Sequence, residues 1–157
     1  TPEAQNLADC EGDKCRPETI TADDIGPLSG GFSGRGDKLD VVVFAAPQLS
    51  IVEMQQLAGL CRGVSFKVPV IVCTAPQVIG DARRMGFTAM IEAAGGTILE
   101  GTCFYNQYAR EIGEANGWVR LLSNSAKIVN ILGGYGYKPA LANMEDCVAS
   151  AIEGVIQ

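Results

Sequence analysis

From residue 39 onward the chain alternates short, unbroken apolar runs with longer amphipathic ones. Leu39-Asp40-Val41-Val42-Val43-Phe44-Ala45 and Val68-Pro69-Val70-Ile71-Val72-Cys73 have no wet face, the mark of parallel strands covered on both sides. Pro69 is tolerable at the start of the second run. Thr97-Ile98-Leu99, Val119–Leu122 and Ala140-Leu141-Ala142 read as a third, fourth and fifth strand. Between them, Ile51, Met54, Leu57 and Leu60 recur at helical spacing after the cap Ser50, and Arg62-Gly63 closes that helix. Further helices are predicted within Thr74–Met85, Thr88–Ala94, Tyr105–Ala115 and Lys127–Leu132, and from the cap Asn143 through Val155. Ala46-Pro47-Gln48-Leu49 and the glycine-rich stretch Gly133–Pro139 read as loops. Such alternation implies a three-layer α/β/α domain over 39–157, with right-handed crossovers and a mainly parallel sheet of four or five strands. Val41–Phe44, Val70–Cys73 and Val119–Leu122 are expected as the inner strands. Residues 1–38 lack the rhythm and form a loosely structured N-terminal segment, with a short helix possible over Glu3–Asp9.

Composition narrows the function. The 157 residues are 47% hydrophobic and 19% charged, with a net charge of -6 and no basic stripe, which excludes a nucleic-acid partner. No apolar run reaches the roughly 18 residues of a membrane span, and no signal-peptide core is present, so a cytoplasmic setting is expected. The absence of histidine removes the usual general base and leaves acid–base work to carboxylates, Lys, Tyr or another chain. The chain opens on Thr1-Pro2-Glu3-Ala4 without an initiator methionine, and reads as a processed, trimmed or excised piece. Cys61 and Cys73 lie in apolar runs, where free cysteine is at home, which favours reduced thiols over a disulfide framework. Cys10 and Cys15 make a C-x4-C pair in a polar stretch, by itself a weak metal signal.

The candidate chemistry gathers around Leu122-Ser123-Asn124-Ser125-Ala126-Lys127, where a buried strand gives way to a helix. Strand ends of this kind bind ligands in open α/β sheets. Helix-start amides beside Lys127 suit a carboxylate or phosphate. The plainer reading is a cap that satisfies backbone donors. Cys103 follows the third strand, and Cys147 lies near the start of the last helix, where the dipole favours a thiolate. Two thiolates facing one crevice suit an iron–sulfur cluster. Alternatively, Cys147 packs as a small hydrophobe beside Val148 and Ile152. Gly133-Gly134-Tyr135-Gly136 follows a helix and not a strand, so it fails as a dinucleotide loop.

An ordered set of segments resembles the catalytic domain of aconitase X. It comprises Thr1–Ala4, Val41–Ser50, Glu92-Ala93-Ala94-Gly95, Gly101-Thr102-Cys103, Ser123–Lys127, and Glu145-Asp146-Cys147-Val148 with Gly154. The resemblance implies a hydro-lyase that dehydrates a small hydroxy acid, of the cis-3-hydroxy-L-proline or mevalonate 5-phosphate type. It implies an iron–sulfur cluster with Cys103 and Cys147 as ligands and a third ligand outside this chain. Asn124, Ser125 and Lys127, with Ser50, fall on the substrate side. It further implies that the chain is part of a larger catalytic domain, whose remainder and a small swivelling domain complete the enzyme, and that alone it is inactive. One segment departs from the family pattern. Where the family commonly has a cysteine-containing pair and then Pro-His, this chain has Ala45-Ala46-Pro47-Gln48 before Leu49-Ser50.

Two other classes fit the same residues. One is a non-catalytic α/β domain that binds an anion or another ligand and keeps its cysteines buried for structure. The other is a thiol-based redox protein using Cys10 and Cys15. Iron content of the full assembly separates the first reading from both.

Overall fold

The computed structural model describes residues 5–10, 18–21, 23–24 and 34–157. The Cys10 side chain, Cys15 and most of the expected N-terminal loop lie outside the described residues. Leu7–Cys10 forms a 3-10 turn where a short helix is expected.

Five strands, β1 (Val41–Leu49), β2 (Val70–Thr74), β3 (Gly96–Glu100), β4 (Arg120–Ser123) and β5 (Lys138–Leu141), form one sheet in the order β3-β2-β1-β4-β5. Every neighbouring pair is parallel. The inner strands are therefore β2, β1 and β4, as the apolar runs imply. Among the described residues from 34 onward, six helices pack with the sheet: α1 (Ile51–Leu60), α2 (Pro76–Arg84), α3 (Phe87–Ala93), α4 (Ala109–Asn116), α5 (Ala126–Leu132) and α6 (Met144–Glu153). Among the described residues, no helix is long and apolar enough to cross a membrane.

Side-chain alternation along the strands sorts the core into two halves. Val42, Phe44, Val70, Val72 and Leu122 pack with Met54 and Leu57 of α1, Ile91 of α3, and Cys147 and Val148 of α6. Val41, Val43, Ile71, Cys73 and Leu121 face the other way, onto Phe104, Ala109 of α4, and Ile128 and Leu132 of α5. The predicted three layers are present.

Two local differences from the sequence reading have physical causes. The segment Ala46–Leu49, expected as a loop, continues β1, and its register against β2 shifts between Phe44 and Leu49. The buried Thr74 hydroxyl, donating to the Leu49 carbonyl at 2.8 Å, holds this extension down. The predicted helix over Tyr105–Ala115 is split into a 3-10 turn, Phe104–Asn106, and α4, because Tyr108 adopts a left-handed conformation (φ 55°) between them.

At the amino ends of β1 and β4, Asp40 joins the strands. Its carboxylate accepts from the Val119 and Arg120 amides at 3.0 and 2.9 Å and pairs with Lys38 at 3.3 Å. Burial pushes the Asp40 pKa up, but the two amides and the lysine outweigh it and hold the carboxyl below its ordinary value. A depressed pKa stabilises the fold at neutral pH, and that contribution disappears as pH falls through the folded-state value. Asp40→Asn is therefore expected to cost about 1–2 kcal/mol at pH 7. In urea melts, the gap between the two proteins should close as the pH drops below about 4.

Candidate functional site

Successive strands lead away from β1 in one direction through β2 and β3, and in the other through β4 and β5. The crevice beyond the carboxyl ends of β1 and β4 is thus the topological switch point, where doubly wound sheets bind ligands. Two serines at the end of β4 fasten its walls. Ser123 Oγ donates to the Val43 carbonyl at 2.6 Å and accepts from the Ser125 amide at 3.2 Å. Ser125 Oγ donates to the Ala46 carbonyl and accepts from the Ile128 amide at 3.3 Å, which caps α5. Ala46 is buried and left-handed (φ 50°), an uncommon conformation for a residue with a Cβ and one that the surrounding contacts must hold.

A second bridge brings the loop after β3 inward from the sheet margin. Gln48 Nε2 donates to the Thr102 carbonyl at 2.7 Å, and Gln107 Nε2 donates to Thr102 Oγ1 at 2.6 Å. Phe104 anchors this loop by complete burial, with its ring edge-on to Tyr137 at a centroid separation of 6.1 Å. Across from it, the exposed Lys127 ammonium lies 5.9 Å from the Tyr105 ring centroid. Asn124 is half-buried at the end of β4, and its side chain bonds to no described residue.

The expected site residues separate into three groups. Asn124 and Lys127 are at the switch point with polar groups available to a ligand. Ser125 is there as well, but its hydroxyl already has a donor and an acceptor partner inside the protein. Ser50 caps α1 in a reciprocal box: its amide donates to Glu53 Oε2 at 2.8 Å, and the Glu53 amide donates back to Ser50 Oγ at 3.4 Å.

The cysteine pair is not brought together. Cys147 is completely buried on the α1/α3/α6 face, whereas the half-buried Cys103 packs against the opposite face. The thiol of Cys147 has the Ala142 carbonyl at 3.9 Å. Burial, then the charges of Asp146 and Glu145, raise its pKa and keep it protonated, so desolvation overrides the helix-start effect expected from sequence. Asn143 provides the cap of α6, accepting from the Asp146 amide at 2.7 Å. Among the described residues, no three or more His, Cys, Asp or Glu side chains gather as a metal site. A cluster held jointly by Cys103 and Cys147 does not fit this geometry, and Cys103 lies half-buried on the loop after β3. Cys61 behaves as the small hydrophobe that its sequence context implies, with burial raising its thiol to about 11.

Sequence reasoning passed over Gln48, Gln107 and the hydroxyl of Ser123. The available signal was an amide side chain placed directly after Pro47 at the end of an apolar strand.

An open parallel sheet, with polar side chains and a lysine beyond the carboxyl ends of its central strands, defines a doubly wound α/β domain. Residues 39–153 match the aconitase X third domain, and the chain belongs to the aconitase X family. It is similar to the phosphomevalonate dehydratase large subunit of Thermococcus kodakarensis, with 25% identity over 142 residues, 88% of this chain and 35% of that subunit. The corresponding large subunit of Methanothermobacter thermautotrophicus is 30% identical over 116 residues, 74% of this chain and 28% of that subunit. A cis-3-hydroxy-L-proline dehydratase of Pseudomonas aeruginosa is 28% identical over 160 residues, 98% of this chain and 27% of that enzyme. The chain therefore spans about a third or less of the relatives it matches. The crystal structure of Thermococcus kodakaraensis aconitase X in its holo-form shares the fold, with a TM-score of 0.71 and 22% identity over 90% of this chain and 36% of that one.

Ser125→Ala is expected to lower stability by about 1–3 kcal/mol, because it leaves the buried Ala46 carbonyl without its donor and removes the α5 cap. Denaturant melts check this. Native-state alkylation followed by peptide mapping should label Cys103 well before Cys61, Cys73 or Cys147, which are buried.

Proposed function

We propose that this chain is the third-domain part of an aconitase-X-type hydro-lyase that removes water from a small hydroxy acid. The substrate is of the cis-3-hydroxy-L-proline or mevalonate 5-phosphate class. The family match across 39–153 carries the reading, since relatives named for both dehydrations align with it. In this assignment Lys127 supplies the charge that holds the acid's carboxylate or phosphate. Asn124 and the free carbonyl side of the Gln48 amide orient the polar groups beside it. The hydroxyls of Ser123 and Ser125 fix the crevice walls, and Ser50, in its capping box, sets the start of α1 at the rim.

The chain has no histidine, and removal of the proton next to the carboxylate is assigned here to a group outside it, ahead of its own carboxylates, Lys and Tyr. The remainder of the catalytic domain and a small swivelling domain provide that base and enclose the substrate. Cys103 is the thiol offered to an iron–sulfur cluster, whose other ligands come from beyond Cys147's reach. Reduced, unpaired Cys61, Cys73, Cys103 and Cys147 suit a cytoplasmic assembly. The burial of Cys61 and Cys147 favours the structural role that the alternative, non-catalytic binding domain assigns to them.

The test is to reconstitute this chain anaerobically with the rest of the domain and the small domain, then follow dehydration of both acids. Turnover of one acid by the assembly and none by the isolated chain is expected. Failure with both acids sinks the assignment, and turnover by the isolated chain shows that the base lies within it. Lys127→Ala should raise KM roughly 10- to 100-fold, the loss of one charge-assisted hydrogen bond of about 1.5–3 kcal/mol, with a much smaller effect on kcat.

A further inference from the structure

We infer that a cavity on the α4/α5 side of the sheet, away from the switch point, binds a free α-amino acid with an aromatic side chain. Its volume is about 220 Å³, below the roughly 300–1,000 Å³ usual for drug-sized ligands, so it suits one small molecule. It lies between α4 and the two segments that lead into the amino ends of β4 and β5, Trp118-Val119 and Tyr135–Tyr137. Asn124 and Lys127 follow the carboxyl end of β4, and neither lines it.

The lining is aromatic and is held in place by the protein itself. Tyr137 is buried, with its hydroxyl donating to the Ala109 carbonyl at 2.7 Å. Gly113 makes room for it, since a Cβ there would stand 2.7 Å from that hydroxyl. Trp118 and Tyr135 are half-buried, and Val119 leaves an apolar side chain 43% exposed beside them. The Trp118 amide donates to the Gly113 carbonyl at 2.9 Å, and the Lys138 amide to the Val119 carbonyl at 2.7 Å. Asp40 fixes the same segment through the Val119 amide at 3.0 Å. These bonds exist without a ligand, so binding does not have to order the walls.

Two opposite charges stand one helical turn apart on the α4 wall. Arg110 and Glu114 have the i, i+4 spacing at which such residues pair, yet they form no ion pair with each other. Arg110 is drawn across to the facing segment instead. It donates to the Gly134 carbonyl at 2.8 Å, with its guanidinium carbon 5.9 Å from the Tyr135 ring centroid. That bond uses one N–H of the guanidinium and leaves the others for a ligand. The Glu114 carboxylate is exposed and bonds to no described residue.

This set of groups selects the ligand. A guanidinium takes a carboxylate, a carboxylate takes an ammonium, and the rings take a flat apolar body. A free amino acid carries both charged groups on one carbon and the side chain beside them. A dicarboxylate would set a charge against Glu114, and a simple amine would set one against Arg110. A residue inside a peptide has neither charge. The inference does not rest on the proposed function, because the cavity shares no residue with that site.

The chain's one tryptophan lines the cavity, so its emission reports occupancy. L-Phenylalanine is titrated into the full chain while Trp118 fluorescence is followed, and a saturable change at millimolar concentration or below is expected. Glycine has both charges and no ring, and N-acetyl-L-phenylalanine amide has the ring and neither charge. Each should bind at least tenfold more weakly. Arg110→Gln and Glu114→Gln should each weaken phenylalanine binding at least fivefold, and Lys127→Ala should leave it unchanged. No saturable change, equal affinity for glycine or the blocked amide, unchanged binding in both wall variants, or loss of binding in Lys127→Ala would overturn the inference. If a wall variant does not fold, the two analogues decide the question on the unaltered chain.

Discussion

Two serine hydroxyls hold the end of β4 against the end of β1, and the candidate site depends on that seam. Ser123 reaches the Val43 carbonyl, and Ser125 reaches the Ala46 carbonyl across the crevice. Both hydroxyls are buried, where an unpaired carbonyl is costly, so each bond fixes its geometry more firmly than a surface contact could. Asp40 performs the matching task at the amino ends of the same two strands. Pinned at both ends, the seam sets the left-handed turn at Ala46, and through it the position of Gln48 and the loop that Gln48 holds.

That arrangement divides labour around the crevice. Side chains with a satisfied hydrogen-bonding set, Ser123, Ser125 and Ser50, shape the walls. Asn124 is half-buried and Lys127 exposed beside them. With no histidine in the chain, acid–base work at this edge is left to carboxylates, Lys, Tyr or another chain. The domain covers about a third of the length of the Thermococcus kodakarensis subunit it matches.

The cysteines show how alternation across a sheet governs chemistry. Cys73 stands on a strand with its side chain committed to the α4/α5 face, and Cys147 stands on a helix packed over the other face. Both precede or follow the same carboxyl edge, yet a layer of strands separates them. The loop after β3 packs Cys103 against the α4/α5 face, so the sheet stands between it and Cys147.

The sequence by itself determined the architecture. Unbroken apolar runs such as Val41–Phe44 and Val70–Cys73 can only be satisfied between two helical layers, and parallel pairing follows from the helices between them. It also marked Asn143 as a cap and offered a cap as the plainer reading of Ser125, because those signals are local in the chain. Tertiary structure decided the rest. Whether Ser125 faces a ligand or a carbonyl, and whether Ala46–Leu49 is loop or strand, depend on contacts between residues 25 to 80 positions apart. Periodicity reports which face of its own element a residue occupies. Only packing settles what stands opposite that face, and the burial that comes with it decides whether a thiol such as Cys147 can ionise.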